Sequence, residues 1–332
     1  MKINNFNIGK NYAPYVIAEA GINHNGNINI ALEMIDLAGK IGVNAIKFQT
    51  YKTELFISPE SQYFNLFKKC ELQENEIQQL VSKAKKLGLT IFSAVFDFES
   101  ANLWNRLDSA VFKIASGDIT HHALLNHVSK FNKPIILSTG GSNLEEVSEA
   151  INVIKETNNA VELGLLHCIS NYPTKNEDVN LSSIQLLRET FNLPIGFSDH
   201  TIGNIASMSA VALGANIIEK HFTLDCNMEG PDHILSMDKD NFKKFITDLH
   251  VIYNTIGTPK IKALEPADTI NAIRRSIIAI KPIKKGELIS LDNIVFRRPA
   301  SGIPANKVNE VIGKEVIKDI NINDFISWTD FI

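Results

Sequence analysis

Short apolar segments alternate with longer segments of helical period through the first two-thirds of the chain. Eight apolar runs rich in β-branched residues are spaced along this part: Tyr15–Gly21, Ala45–Thr50, Thr90–Phe96, Ala110–Ser116, Pro134–Gly140, Val161–Cys168, Pro194–His200 and Asn216–Phe222. Helical patterns lie between them at Ile30–Ile41, Asn75–Leu87, Leu144–Lys155 and Ser182–Phe191. Apolar strands that alternate with helices are typical of a parallel sheet with both faces covered.

The number of repeating units favours a closed barrel over an open sheet. Eight strand–helix units in roughly 220 residues match a (β/α)₈ barrel. No GxGxxG motif follows the first strand, which counts against a dinucleotide-binding sheet. We therefore predict an α/β fold, a (β/α)₈ TIM barrel, over residues 1–256.

The pattern changes after residue 256. The mixed polar stretch 257–275 reads as a linker with some helix, and 276–332 reads as short strands separated by turns. A β-rich module of this size is marginally stable alone and is expected to pack on another surface. The sequence thus predicts a barrel, a linker and a small β-rich domain.

Composition excludes several classes of protein. The 33 Lys and Arg residues are balanced by 37 Asp and Glu residues, and the formal net charge of −4 argues against a non-specific nucleic-acid binder. No apolar run approaches the roughly 20 residues that cross a bilayer, and no leader pattern opens the chain. Cys70, Cys168 and Cys226 lack the spacing of a zinc site or a disulfide framework. We expect a cytoplasmic protein without membrane or nucleic-acid partners.

Polar residues occur late in nearly every predicted strand, where a barrel carries its active site. They are Glu19, Lys47, Gln49, Ser93, Lys113, Ser116, Ser138, Ser170, Tyr172, Ser198, His200, Glu219 and His221. Each buried polar group costs desolvation energy, so the joint pattern indicates function rather than folding.

The residue types indicate the chemistry of this site. Lysines beside serine hydroxyls suit a phosphate or a carboxylate. His200 and His221 end adjacent strands, and two imidazoles with nearby oxygens suit Mn²⁺, Fe²⁺ or Zn²⁺ better than Mg²⁺ or Ca²⁺. Glu19 and Asp232 are candidates for proton transfer or hydroxyl binding.

These motifs resemble the N-acetylneuraminate (sialic acid) synthase family of nonulosonate synthases, which includes legionaminic acid synthases. The matching segments are AEAGINHNG (18–26), IKFQT (46–50), KIASGD (113–118), ILSTG (136–140), LHCxxxYPT (166–174), GFSDHT (196–201), GANIIEKHFTLD (214–225) and GPDH (230–233). The tail resembles the antifreeze-like (SAF) domain of these synthases through IKKGELIS (283–290) and RRPASGI (297–303).

The resemblance implies an enzyme that condenses phosphoenolpyruvate with an N-acetylated amino sugar, giving a nonulosonic acid and phosphate. It implies a domain-swapped homodimer in which the antifreeze-like domain caps the partner's barrel. It also implies a divalent metal, Mn²⁺ by preference, with Mg²⁺ or Co²⁺ as alternatives.

Roles carry over by motif to individual residues. Phosphoenolpyruvate is expected at Lys47, Lys113, Ser116, Ser138 and Ser198, with Ser93 and Ser170 as further contacts. The metal is expected at His200 and His221. The open-chain sugar is expected at Glu19, Gln49, Tyr172 and Asp232, with Arg298 reaching its N-acetyl group across the dimer. The predicted catalytic set is Glu19, Lys47, Lys113, His200 and His221.

Departures from the family pattern leave the acceptor open. Ala94 replaces a threonine hydroxyl, Gly141 replaces a methionine, and the 51–74 segment is shorter than in many relatives. The expected acceptor is N-acetylmannosamine, giving N-acetylneuraminate; the alternative is 2,4-diacetamido-2,4,6-trideoxymannose, giving legionaminic acid. Two rival classes remain: a Schiff-base aldolase with Lys47 or Lys113 as nucleophile, and a non-catalytic sugar-acid-binding protein.

Overall fold

The computed structural model of the chain describes residues 1–257 and 262–331. The chain divides into two compact units, Met1–Gly257 and Thr258–Ile332. Part of the predicted linker 257–275, namely 258–261, lies outside the described residues. In the described part of the chain, no helix has the length and apolar character needed to cross a membrane.

Eight parallel strands form the centre of the first unit. A hairpin of β1 (Lys2–Ile3) and β2 (Phe6–Asn7) precedes them. The eight strands are β3 (Tyr15–Gly21), β4 (Ala45–Thr50), β5 (Thr90–Val95), β6 (Phe112–Ile114), β7 (Ile135–Ser138), β8 (Leu163–Cys168), β9 (Ile195–Asp199) and β10 (Ile217–His221). They pair in chain order and β10 pairs with β3, so the predicted (β/α)₈ barrel is confirmed.

Helices surround this barrel. They are α1 (Ile28–Ile41), α2 (Thr53–Phe56), α3 (Phe64–Cys70), α4 (Glu74–Lys86), α5 (Phe98–Arg106), α6 (His122–Ser129), α7 (Leu144–Thr157), α8 (Ser183–Phe191), α9 (Ile205–Ala212) and α10 (Lys239–Ile256). The side chain of Asn27 caps the start of α1 by accepting from the Asn29 amide, and Gly42 ends the helix with a left-handed φ of 83°. The buried stripe of α1 packs against the strands, as its apolar period requires.

Strand side chains alternate between the barrel interior and the helix layer. Near the N-terminal ends of the strands the interior is apolar and fully buried; it is filled by Ile17, Ala45, Phe92, Ile136, Leu166 and Ile217. The N-terminal hairpin adds Ile3 to this cluster. The barrel therefore has a packed floor, and the buried charged residues Glu19, Lys47, Lys113 and Glu219 follow it along the strands towards their C-terminal ends.

The second unit is a small domain with its own core. It contains α11 (Ala267–Ile273), α12 (Val308–Val311) and an antiparallel pair, β11 (Ser276–Ala279) with β12 (Ile294–Arg297). Isolated bridges such as Val316 with Phe331 join the remaining extended segments. Apolar residues from these segments form one cluster, which confirms the predicted β-rich character.

Truncating the barrel floor should destabilise the first unit. Ile136 is fully buried in the floor, and Ile136→Ala is expected to lower the free energy of unfolding by about 2–5 kcal/mol. Urea unfolding in a Trp328→Phe background would follow the fluorescence of Trp104, which lies in the barrel. Ile205→Ala is the matched control, because Ile205 is 72% exposed and its loss should cost less than about 0.5 kcal/mol. Equal effects of the two changes would contradict this account of the floor.

Candidate functional site

A buried lysine between two buried carboxylates lies in the upper half of the barrel. Lys47 Nζ is 2.7 Å from Glu19 Oε2 and 3.5 Å from Glu219 Oε2. The other oxygen of Glu219 accepts from the Ser198 hydroxyl at 2.8 Å. These contacts join the ends of β3, β4, β9 and β10, because the residues alternate onto the interior face of each strand.

A second buried lysine lies beside a group of hydroxyls. Lys113 Nζ donates to the Ser138 hydroxyl at 2.7 Å and to the Ile114 carbonyl at 2.8 Å. A Cβ placed on Gly140 would come within 2.8 Å of Ser116 Oγ and 2.5 Å of Ser170 Oγ. Two hydroxyls therefore converge over a residue that has no side chain, next to a buried cation. This arrangement suits a phosphate group.

Two histidine rings lie at the C-terminal ends of the adjacent strands β9 and β10. The rings of His200 and His221 have centroids 5.4 Å apart, and the Tyr172 ring packs on His200 at 4.1 Å. His200 Nδ1 donates to the Ile169 carbonyl at 2.7 Å, so in the neutral ring Nε2 is the nitrogen that carries the lone pair. Asp232 Oδ2 lies 3.8 Å from His221 Nδ1.

Three polar side chains converge around Gly21 at the end of β3. A Cβ built on Gly21 would lie 3.3 Å from Glu19 Oε1, 3.7 Å from Asp232 Oδ2 and 3.7 Å from Gln49 Nε2. The φ of 50° at Gly21 is one that side-chain-bearing residues rarely adopt. The absence of a side chain thus leaves space between two carboxylates and an amide, which together suit the hydroxyls of a sugar.

Burial and neighbouring charges shift the pKa values of the lysine–carboxylate group. Burial raises the pKa of Glu19 to about 7; Lys47 opposes this shift and Glu219 adds to it. Burial also acts to raise the pKa of Glu219, but Lys47 and Lys113 outweigh it and hold that pKa below its usual value. Burial would lower the pKa of Lys47, but the two carboxylates raise it. Near neutral pH, Glu219 is therefore ionised, while Glu19 is present in both its protonated and its ionised form.

The two histidines fit a divalent metal. His221 Nδ1 is buried and has no hydrogen-bond partner among the described residues, and burial holds the pKa of His221 well below its usual value. A neutral imidazole with a free lone pair is a metal ligand. No cluster of three His, Cys, Asp or Glu side chains with metal-binding geometry occurs in residues 1–257 and 262–331. Further ligands would come from substrate or solvent oxygens.

Most of the predicted site residues lie in this cavity, and one faces away from it. Ser93 is on the outer face of β5, where its hydroxyl contacts Thr50 Oγ1 at 2.8 Å and donates to the Phe48 carbonyl. The prediction of a substrate contact for Ser93 is therefore wrong, because Ala94 occupies the interior position opposite Gln49. Arg298 is exposed and belongs to the second unit, directly after β12.

Glu219 belongs to the polar strand ends noted in the sequence, but it was given no catalytic, substrate-binding or metal-binding role there. It lies two residues before His221, so the two-residue period of β10 places both side chains on the interior face. This spacing was the signal available in the sequence. Lys220, between them, faces the helix layer instead.

Comparison with known proteins places the chain in a family. The NeuB family matches residues 34–261 and the SAF domain matches residues 274–332. An N,N'-diacetyllegionaminic acid synthase from Campylobacter jejuni is 40% identical, over 94% of this chain and 98% of that protein. An uncharacterised protein from Methanocaldococcus jannaschii is 45% identical, over 100% of this chain and 98% of that protein. A structure of the N-acetylneuraminic acid (sialic acid) synthetase from Leptospira borgpetersenii, with citrate, has a TM-score of 0.77 at 35% identity, covering 81% of this chain and 93% of that one. The chain therefore belongs to the NeuB family of nonulosonate synthases and carries an SAF domain after its barrel.

Proposed function

We propose that this protein condenses phosphoenolpyruvate with an N-acetylated amino sugar to give a nonulosonic acid and phosphate. The observation that carries this proposal is the convergence of a lysine–carboxylate group, a lysine–hydroxyl group and two histidines at one end of the barrel. Such a cavity offers separate places for an anion, a metal and a polyhydroxylated substrate. A reaction that consumes phosphoenolpyruvate belongs in the cytoplasm, where we expect the enzyme.

Phosphoenolpyruvate is assigned to the side of the cavity that contains the two lysines. Lys113 and the hydroxyls of Ser116, Ser138 and Ser170 would bind the phosphate, because they supply one cation and oriented donors. Lys47 and Ser198 would contact the enol end of the substrate. Both are held in place by Glu219, which pairs with Lys47 and accepts from Ser198. The cations would stabilise charge on phosphate as it departs.

His200 and His221 would hold the divalent metal, with Mn²⁺ as the expected ion. When bound, such an ion acts as a Lewis acid that polarises the aldehyde of the open-chain sugar. Glu19, Gln49 and Asp232 would orient the sugar hydroxyls around Gly21, and Tyr172 would cover the entrance beside His200. This orientation would place the aldehyde carbon next to C3 of phosphoenolpyruvate.

In the proposed reaction, C3 of phosphoenolpyruvate forms a bond to the aldehyde carbon as the C=C and C=O π bonds open; the aldehyde oxygen takes up a proton to become a hydroxyl, and positive charge develops at C2. Water adds to C2, and phosphate then departs with cleavage of its C–O bond. Glu19 is the candidate base that takes the proton of this water, because its pKa of about 7 lets it exchange protons near neutral pH. The ion pair with Lys47 holds the carboxylate in one orientation.

The acceptor is proposed to be 2,4-diacetamido-2,4,6-trideoxymannose, with N-acetylmannosamine as the alternative. The similarity to a diacetyllegionaminic acid synthase over nearly the whole of both chains supports this order. Phosphate release should depend on sugar, be abolished by EDTA and be restored by Mn²⁺, and it should be faster with the diacetamido sugar. Purified protein assayed for phosphate with each sugar, and without sugar, would test this. Metal-independent turnover with covalent inactivation by borohydride would support the aldolase instead, and no release with either sugar would support a binding protein.

Glu19→Gln should lower kcat by about 10²–10⁴-fold while changing KM much less, because the amide keeps its shape but cannot take a proton. In the unchanged enzyme, kcat should rise with pH through an apparent pKa near 7, as Glu19 loses its proton. The variant should lack this rise. Glu74→Gln on the exposed face of α4 is the control and should leave the profile unchanged. An unaltered kcat in Glu19→Gln would remove Glu19 from this role.

Arg298 is proposed to act on the barrel of the partner in a domain-swapped homodimer. Glu19→Gln inactivates a barrel and Arg298→Ala weakens a cap, so each homodimeric variant should be defective. A heterodimer of the two variants, purified through two different tags, should recover about half of the full activity, since one of its two composite sites is intact. If Arg298 acts within its own chain, the heterodimer has no intact site and activity stays low.

A further inference from the structure

A second ion pair lies behind the histidines, on the outer face of the barrel. Lys220 Nζ is 3.2 Å from Asp199 Oδ2, and both side chains are completely buried. These residues are neighbours across β9 and β10 and point into the helix layer. Asp199 directly precedes His200 in the sequence, and Lys220 directly precedes His221. Each residue of the outer ion pair is therefore joined to one interior-facing histidine by a peptide bond.

Hydrogen bonds extend this pair into a clamp on the backbone around His200. Asp199 Oδ1 accepts from the amide and the hydroxyl of Thr201, both at 2.8 Å, and its other oxygen accepts from the Ser207 hydroxyl. Lys220 Nζ donates to the Thr201 carbonyl. The residues on either side of His200 are therefore both tied to Lys220, which directly precedes His221. We use "outer clamp" for Asp199, Thr201, Ser207 and Lys220.

Folding alone does not explain the outer clamp. Two charges removed completely from water carry a large desolvation cost, and apolar residues of similar volume commonly stabilise a core as well or better. The surrounding layer is apolar, with Phe197 and Phe222 fully or almost fully buried nearby along the same strands. The ion pair does fix the distance between β9 and β10 and the direction of the two side chains at Asp199 and Lys220, which apolar packing would define less sharply.

We propose that Lys220 and Asp199 are positioning residues that set the separation of the His200 and His221 rings for the metal. This inference rests on the proposed function of the two histidines as metal ligands. Groups outside the ligand shell that orient the ligands commonly change metal affinity by about 10–100-fold when they are removed. The clamp acts on the backbone of both ligands instead of on their ring nitrogens.

Titration of Mn²⁺ into EDTA-treated, dialysed protein, with free Mn²⁺ measured by electron paramagnetic resonance, tests the proposal. Lys220→Met should raise the Kd for Mn²⁺ by about 10–100-fold. It also leaves a buried unpaired carboxylate, so its melting temperature should fall. Asp199→Asn combined with Lys220→Met leaves no unpaired charge; it should recover much of the melting temperature and still bind Mn²⁺ weakly. That separation of affinity from stability would support a positioning role.

Two further variants keep the test decisive. Thr201→Val removes one hydrogen bond of the outer clamp while the side chain keeps its shape, and it should raise the Kd for Mn²⁺ by several-fold. This variant carries the test if the Lys220 and Asp199 variants do not fold. Lys244→Met removes the lysine of the exposed pair with Asp248 and should leave Kd and melting temperature unchanged. A folded double variant or Thr201→Val variant with the original Kd would overturn the proposal. If the unaltered protein does not bind Mn²⁺, the proposed metal site itself is wrong and the inference falls with it.

Discussion

The site depends on the ion pairs of Lys47 with Glu19 and Glu219 inside the barrel. Each of these groups is almost completely buried, so removal of Lys47 would leave both carboxylates without this cation in a low-dielectric interior. The pairs also connect β3, β4 and β10, which lie on either side of the seam where the barrel closes. The charged group is therefore complete only in the closed sheet.

The apolar floor and the charged upper half depend on each other. Side chains such as Phe92 and Ile136 fill the interior below the charges and exclude water from that side. This exclusion is what raises the pKa of Glu19, since burial is the largest cause of its shift. A looser floor would admit water and return the Glu19 carboxyl towards ordinary behaviour. Packing far from the substrate thus contributes to the proton chemistry proposed for the site.

Three consecutive residues of β10 serve both faces of the barrel wall. Glu219 and His221 face the cavity. Glu219 contacts Lys47 and Ser198, and His221 has a ring nitrogen with no hydrogen-bond partner among the residues that the structure describes. Lys220 faces the helices and is tied to Asp199 and Thr201. Because successive side chains of a strand point to opposite faces, adjacent positions of β10 contribute to the inner charged group and to the outer clamp. A change on one face is transmitted to the other through the backbone that they share.

The sequence by itself determined the barrel, its eight strands and the functional face of most of them. It could do so because strand period, helix period and the polar ends of strands are local signals. The family motifs added the roles proposed for Lys113, His200 and Asp232. The tertiary structure alone decided which polar residues meet, since Glu219 reaches Lys47 only when β10 closes against β3. It also decided that Ser93 faces the helices, because the register of β5 against β4 sets which of two adjacent residues points inward.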